Sequence, residues 1–133
     1  MNEVDISIEA IVNPTEDLEK VKRAIENIFG RVEFEVRPQG RGSLLIAQAE
    51  SRNGIAKFYN LLHRERIRAA ARGVLFDGSS RRSITFYLNK QVAYSGHISF
   101  SKPTGESPLG PIKVNISCDN PQGLIEWLTP RTK

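Results

Sequence analysis

The stretch that decides the fold is Val4-Asp5-Ile6-Ser7-Ile8-Glu9-Ala10-Ile11-Val12. Apolar residues at every second position predict a β-strand with one buried face and one polar face. The alternation returns clearly at residues 32–36, 84–88, 94–100 and 112–118, and less clearly at 43–49. A sheet covered on both faces would instead show continuous apolar runs. The sequence therefore predicts a sheet with helices on one face only.

Helical periodicity fills the segments between these strands. Asn13-Pro14-Thr15-Glu16 predicts the start of the first helix, with Asn13 as its cap, and Gly30 predicts its end. Ser51 predicts the cap of a second helix. A third helix is expected from about Arg64 to Leu75, where Ile67, Ala70, Ala71 and Val74 form an apolar side.

The last third of the chain predicts a hairpin, a loop, a strand and a short helix. Residues 89–91 suggest a turn that joins the strands at 84–88 and 94–100 in a β-hairpin. Prolines and glycines make residues 101–111 a loop, and Asn120-Pro121 then starts a short helix. The expected fold class is α+β, with two layers: helices packed on one face of a mixed, largely antiparallel sheet.

Length and composition bound the class of protein. The 133 residues fit a single α/β two-layer domain spanning 1–133, and 39% hydrophobic with 26% charged residues is typical of globular chains. Cys118 is the only cysteine, which excludes an internal disulfide and favours a reducing compartment. The first ten residues do not resemble a signal peptide, and no apolar run approaches the ~20 residues that span a bilayer. We expect a cytoplasmic protein with no membrane partner.

The net charge of +4 is unevenly distributed. Residues 1–50 carry 6 Lys/Arg and 10 Asp/Glu, whereas residues 51–90 carry 9 Lys/Arg and 2 Asp/Glu. A basic middle beside an acidic start suits a polyanion partner better than uniform basicity does. Pairing between the acidic and the basic segments is the alternative interpretation.

The residue types that usually catalyse reactions or bind metals do not form a recognisable motif in this sequence. Gly40-Arg41-Gly42 lacks the spacing of a phosphate-binding loop. His63, His97 and Cys118 are too scattered in sequence for a metal site, and Cys118 falls on the apolar side of its strand. No serine lies in a recognisable nucleophile motif. The sequence predicts no enzyme activity, no cofactor and no metal.

The polar face of the sheet is one candidate binding surface. It would carry Tyr87, whose ring could stack on a base, as in sheets that recognise RNA. Acidic side chains of the same parity would repel phosphate, and a solvated or dimer-forming face is the alternative. The expected members are Tyr87, Ser95, His97, Ser99, Lys113 and Asn115 with the acidic Asp5, Glu9, Glu33 and Glu35.

Arginines in the basic middle form the second candidate surface. Arg64, Arg68 and Arg72 are spaced by four and would share one stripe of the third helix, whereas Arg66 falls outside it. Arg81 and Arg82 follow in a polar loop. Guanidinium groups at such spacing suit phosphate oxygens. In the alternative interpretation, the arginine stems cover the edge of the core and their charges stay in water.

Three segments and a tripeptide resemble a known family. They are residues 86–94, 107–112 and 125–130, which contain Tyr87-Leu88-Asn89-Lys90-Gln91, Ser107-Pro108-Leu109-Gly110-Pro111 and Trp127-Leu128-Thr129-Pro130, with Ala70-Ala71-Arg72. The chain resembles an uncharacterised archaeal family classed as RNA-binding and related to a predicted exosome component. The resemblance implies a fold similar to the large-subunit ribosomal protein that binds 5S RNA, and no known activity.

Two functions follow as expectations. The first is an RNA-binding accessory protein whose phosphate contacts are Arg64, Arg68, Arg72, Arg81 and Arg82, with Lys90 as a weaker candidate. The second is a protein-interaction or homodimerisation module that uses the open face of the sheet.

Overall fold

Six strands and five helices follow one another in a computed structural model that describes residues 4–103 and 110–131. Their bounds are β1 Val4–Val12, α1 Leu18–Phe29, β2 Val32–Gln39, β3 Gly42–Ala49, α2 Ser51–Arg64, α3 Arg68–Asp77, β4 Ser83–Asn89, α4 Lys90–Tyr94, β5 Phe100–Ser101, β6 Pro111–Cys118 and α5 Pro121–Leu128.

All strands belong to one open sheet of order β2-β3-β1-β6-β4-β5. Every pairing in the described ranges is antiparallel. The strand quoted first, β1, lies inside the sheet, where Ile8 pairs with Ala47 on one side and Val114 on the other. The predicted α+β class with an antiparallel sheet is confirmed.

The helices cover one face of this sheet. The alternating apolar residues of β1, β4 and β6, such as Ile8, Phe86 and Val114, point to that face and are buried, as their alternation predicts. Phe58 of α2 lies at the centre, with its ring centroid 5.5 Å from that of Phe29 and 5.3 Å from that of Phe86. These rings join α1, α2 and β4 in one core, so the predicted two-layer arrangement is confirmed.

The first helix ends where expected but begins four residues late. Gly30 follows its last residue with φ of 78°, a conformation that glycine adopts without steric cost. Its cap is Asp17, which accepts a hydrogen bond from the Glu19 amide. Asn13 and Glu16 form a separate turn, closed by a 2.9 Å bond from the Asn13 amide to the Glu16 carboxylate. The cap prediction was therefore wrong: the bond from the Asn13 amide to Glu16 forms as in a capping box, but it closes a turn, and the helix starts after Asp17.

The helix predicted from about Arg64 to Leu75 is α3, but it begins four residues later than expected. The chain leaves α2 at Arg64, turns at Arg66 and starts α3 at Arg68. The Ile67 amide donates to the Leu62 carbonyl at 3.4 Å and the Arg66 amide to the His63 carbonyl at 3.3 Å. This bond pair is a helix-ending motif that usually has glycine at the position of Arg66. An arginine there gave no stop signal, which is why the break was expected near Arg64 and not at Arg66.

The segment after β4 is a short helix and not the second strand of a tight hairpin. The Asn89 side chain caps α4 by accepting a hydrogen bond from the Val92 amide at 3.0 Å. Of residues 94–101, only Phe100–Ser101 form a strand, which pairs with the end of β4, so the predicted strand at 94–100 was wrong. At Asn120-Pro121 the predicted start of a helix is confirmed. Most of the predicted loop at 101–111 lies outside the described residues.

Candidate nucleic-acid interface

The predicted arginine stripe is divided by the turn between α2 and α3. Arg64 is the last residue of α2, and its guanidinium donates to the Gly96 carbonyl at 3.4 Å. Arg68 is the first residue of α3, so the spacing of four no longer puts it on a common helix with Arg64. Arg66 lies between them. We call Arg64, Arg66 and Arg68 the basic turn.

The basic turn is open to solvent. Arg64 and Arg66 are exposed and Arg68 is half-buried. Among the described residues, the side chains of Arg66 and Arg68 have no hydrogen-bond or ion-pair partner. Three guanidinium groups are thus concentrated in five residues of chain, and two of them are unpaired. Arg66 was excluded in the sequence interpretation because helical geometry was assumed for it.

Two features of the surroundings leave donors of this turn available to an anion. Glu65, the acidic residue within the turn, faces His97, whose Nδ1 lies 2.8 Å from the carboxylate. The first turn of α3 contains no acidic residue, and its start at Ile67 has no side-chain cap. Amides at an uncapped helix start are free to donate to an anion. The turn therefore combines guanidinium and amide donors.

Arg72 has a different role. Its guanidinium donates to both carboxylate oxygens of Glu126, at 2.9 and 2.6 Å, and to the Thr129 carbonyl at 3.1 Å. It also lies 4.9 Å from the centre of the Phe76 ring, and its side chain is only 16% exposed. The hydrogen bonds from Arg72 lower the pKa of Glu126, against the opposing effect of burial. Arg72 therefore joins α3 to α5 through three hydrogen bonds of its guanidinium group.

Arg81 and Arg82 lie at the other end of the sheet. They follow the C-terminus of α3, whose 10 residues span about 15 Å from Arg68 onward. Arg82 is 3.6 Å from Asp119, beyond the end of β6, in an exposed pair. Both arginines are exposed. The structure thus brings Arg64 and Arg68 together but does not bring Arg81 and Arg82 to them.

Lys90 is buried. Its side chain is 5% exposed, and its ammonium group donates to the Ile11 carbonyl and to the Glu16 carboxylate, with 3.0 Å to Oε1. Burial by itself raises the pKa of Glu16, but hydrogen bonds from Asn13 and Lys90 outweigh it and leave that pKa below 4.5. This pair fixes the end of β1 to the start of α4. A phosphate could not reach Lys90 without disrupting it.

The uncovered face of the sheet is mostly polar and partly acidic. Tyr87, Lys113 and Asn115 lie there as expected, with Tyr87 paired to Lys113. His97 and Ser95 do not, because Ser95 ends α4 and His97 contacts Glu65 in the helical layer. The exposed residues of this face include four carboxylates, Asp5, Glu9, Glu33 and Glu35. These charges oppose RNA binding at the sheet.

The structure also bears on three other features: the cysteine, metal binding and membrane spanning. Cys118 is buried, and burial raises the pKa of its thiol. Within residues 4–103 and 110–131, no three His, Cys, Asp or Glu side chains are grouped so that they could hold a metal ion. Over the same ranges, the helices are too short or too polar to cross a membrane.

Known proteins with similar sequences identify the family of this chain. A family model described as RNA binding matches residues 5–118. A UPF0201 protein of Thermococcus kodakarensis is 41% identical over 129 residues, which cover 97% of this chain and 91% of the relative. One of Sulfurisphaera tokodaii is 45% identical over 127 residues, covering 96% and 88%. The chain belongs to the UPF0201 family.

Solved structures agree with this assignment. The crystal structure of a UPF0201 protein from Methanococcus jannaschii has a TM-score of 0.85 and 34% identity, covering 97% of this chain and 95% of that one. A DUF54 protein from Methanothermobacter thermautotrophicus has a TM-score of 0.65 at 20% identity, with 92% of each chain covered. The second similarity concerns the fold alone.

Proposed function

We propose that this protein is a non-catalytic, cytoplasmic RNA-binding protein that holds RNA phosphates at the basic turn. The observation that carries the proposal is the concentration of Arg64, Arg66 and Arg68 around a helix start without a side-chain cap. Guanidinium groups bind phosphate oxygens through paired N–H donors, and helix-start amides favour the same ligand. The description of the matching family supports the choice of RNA as the anion.

The proposed binding site contains fewer residues than the sequence predicted. It leaves out Arg72 and Lys90, because their donors already bond to carboxylates within the fold. It also leaves out Arg81 and Arg82, which lie beyond the far end of α3. We also propose three features that rest on the family resemblance. They are an accessory role, a relation to a predicted exosome component, and a likeness to the ribosomal protein that binds 5S RNA.

A salt titration tests whether RNA binds through phosphates. The affinity of the intact protein for a labelled single-stranded RNA would be measured by fluorescence polarisation from low to physiological salt. Three phosphate contacts predict a slope of about −2 in log affinity against log salt, since each contributes roughly −0.7. The absence of binding at low salt would overturn the proposal, and so would an affinity that does not change with salt.

A homodimer is the second candidate function, and one specific observation favours it. Ile11 is 47% exposed on the uncovered face of the sheet, directly paired with the half-buried Leu44. Ile46 lies two residues further along β3 on the same face. Exposed apolar clusters of this kind are common at protein interfaces. Light scattering should then show a dimer for the intact protein and a monomer for Ile11→Lys, whereas a monomeric intact protein would exclude this function.

A further inference from the structure

Trp127 occupies an unusual position for the only tryptophan of the chain. It lies near the end of α5 and is 42% exposed. Its indole stacks on Tyr59 of α2, with centroids 4.5 Å apart, and Tyr59 stacks in turn on His63 at 4.0 Å. His63 Nε2 lies 3.2 Å from the Leu128 carbonyl, which ties the three rings to the end of α5. Tyr59 is the middle ring, so Trp127 ends the stack.

Core packing accounts for only one side of this indole. The buried residues of α5 are Pro121, Leu124, Ile125 and Leu128, and these already join the helix to the core. The inner face of Trp127 covers Tyr59, but no other aromatic ring of the described residues packs against its outer face. A rigid aromatic surface is therefore held at the exterior of the helical layer.

The surroundings of Trp127 favour an anionic polymer. Its neighbour Glu126 is bound through both oxygens by Arg72, which offsets the negative charge. Arg131 is also close enough to Glu126 to interact electrostatically. One helical turn before Arg72 on the same stripe of α3 is Arg68, a member of the basic turn. A basic path thus leads from the basic turn to the side of α5.

We propose that the outer face of Trp127 stacks on an unpaired base, so that the ligand is single-stranded RNA. This proposal rests on the proposed function, because phosphates at the basic turn would bring the bases to α5. Bases inside a duplex already stack on each other and cannot cover an indole face, whereas unpaired bases stack readily on aromatic side chains. Each stacked base raises affinity by about tenfold or more.

The test uses the intrinsic fluorescence of the intact protein, in which Trp127 is the only source of tryptophan emission. One probe is a ten-nucleotide oligoadenylate, and the other is an abasic oligomer with the same number of phosphates. We expect the oligoadenylate to quench Trp127 and to bind about tenfold more tightly than the abasic probe. Trp127→Leu should remove this preference, and Trp127→Phe should keep most of it.

Tyr94 provides a matched control, since it is also 42% exposed but packs near Lys20 of α1. Tyr94→Leu should leave the affinity for both probes unchanged. If oligoadenylate binds by polarisation but neither quenches Trp127 nor loses affinity in Trp127→Leu, the stacking site is wrong and the proposed function stands. If neither probe binds at low salt, the proposed function has failed, and the stacking site fails with it.

Discussion

Arg72 and Glu126 form a two-pronged ion pair, with N–O distances of 2.9 and 2.6 Å, that joins α3 to α5. Paired bonds of this geometry are among the strongest side-chain contacts in proteins. The pair removes Arg72 from the surface predicted to bind RNA and gives it a structural role. The stem of Arg72 thus covers the edge of the core, as in the alternative interpretation, but its charge is paired with Glu126 and does not stay in water.

The first prediction separates this role from RNA binding. Arg72→Met should lower the melting temperature, because it removes the bonds to Glu126 and Thr129 that join α3 to α5. It should weaken RNA binding far less than Arg68→Met does, because Arg72 contacts no phosphate. Arg68→Met is the matched control, with the same substitution one helical turn earlier. It should barely change the melting temperature but reduce the salt slope by about one phosphate contact. Calorimetry and polarisation measure both variants, and identical effects on RNA affinity would contradict the assignment.

The second prediction concerns the buried pair of Lys90 and Glu16, whose side chains are 5% and 10% exposed. Lys90→Met should lower the free energy of unfolding by about 3–5 kcal/mol, because it leaves a buried carboxylate without its cation. Urea denaturation measures the change. The double variant with Glu16→Gln should recover part of the loss, since no buried charge remains. A loss below about 1 kcal/mol, within the range of exposed ion pairs, would show that the pair is not buried in solution.

The third prediction is a loss of stability in acid. The pKa of Glu16 in the folded protein lies below its ordinary value of 4.5, so the folded state binds fewer protons than the unfolded state. This contribution to stability is complete above pH 4.5 and is lost as the pH falls through the lowered pKa. Melting temperatures from pH 7 to pH 3 should therefore fall less steeply for Glu16→Gln than for the unaltered protein. Parallel curves would contradict this.

The fourth prediction uses the backbone of the basic turn. Arg66 has φ of 58°, a left-handed conformation that costs a non-glycine residue roughly 1–2 kcal/mol. Arg66→Gly should therefore raise the free energy of unfolding by about 0.5–1 kcal/mol, after the greater freedom of glycine in the unfolded chain is included. It should also weaken RNA binding, because one guanidinium is lost. A more stable protein that binds RNA less tightly cannot be explained by misfolding.

Most of the sheet could be predicted from the sequence because alternation is a local signal. The alternating apolar residues of β1, Ile6, Ile8, Ala10 and Val12, are buried under the helical layer as expected. The helix break at Arg66 and the short α4 could not be predicted in this way. One depends on a left-handed arginine and the other on a side-chain cap from Asn89. That cap, three residues before the Val92 amide, was the signal that could have revealed α4.

The candidate site was predicted only in part, for a related reason. Spacing identifies neighbours along one helix, but contacts between elements decide which arginines stay free. Arg72 and Lys90 are paired with Glu126 and Glu16, which are 54 and 74 residues away in sequence. The stack of Trp127 on Tyr59 also joins segments that are distant in sequence, so no local pattern in α5 indicates it.

The measurement that tests the central claim most directly compares two charge reversals of equal size. Arg64→Glu with Arg68→Glu alters the basic turn, and Arg81→Glu with Arg82→Glu makes the same change at the opposite end of the sheet. RNA affinity and its salt dependence would be measured for both, beside the unaltered protein. We predict that the first pair abolishes binding at physiological salt and the second retains most of it. Equal losses in the two pairs, or retained binding in the first, would contradict phosphate recognition at the basic turn.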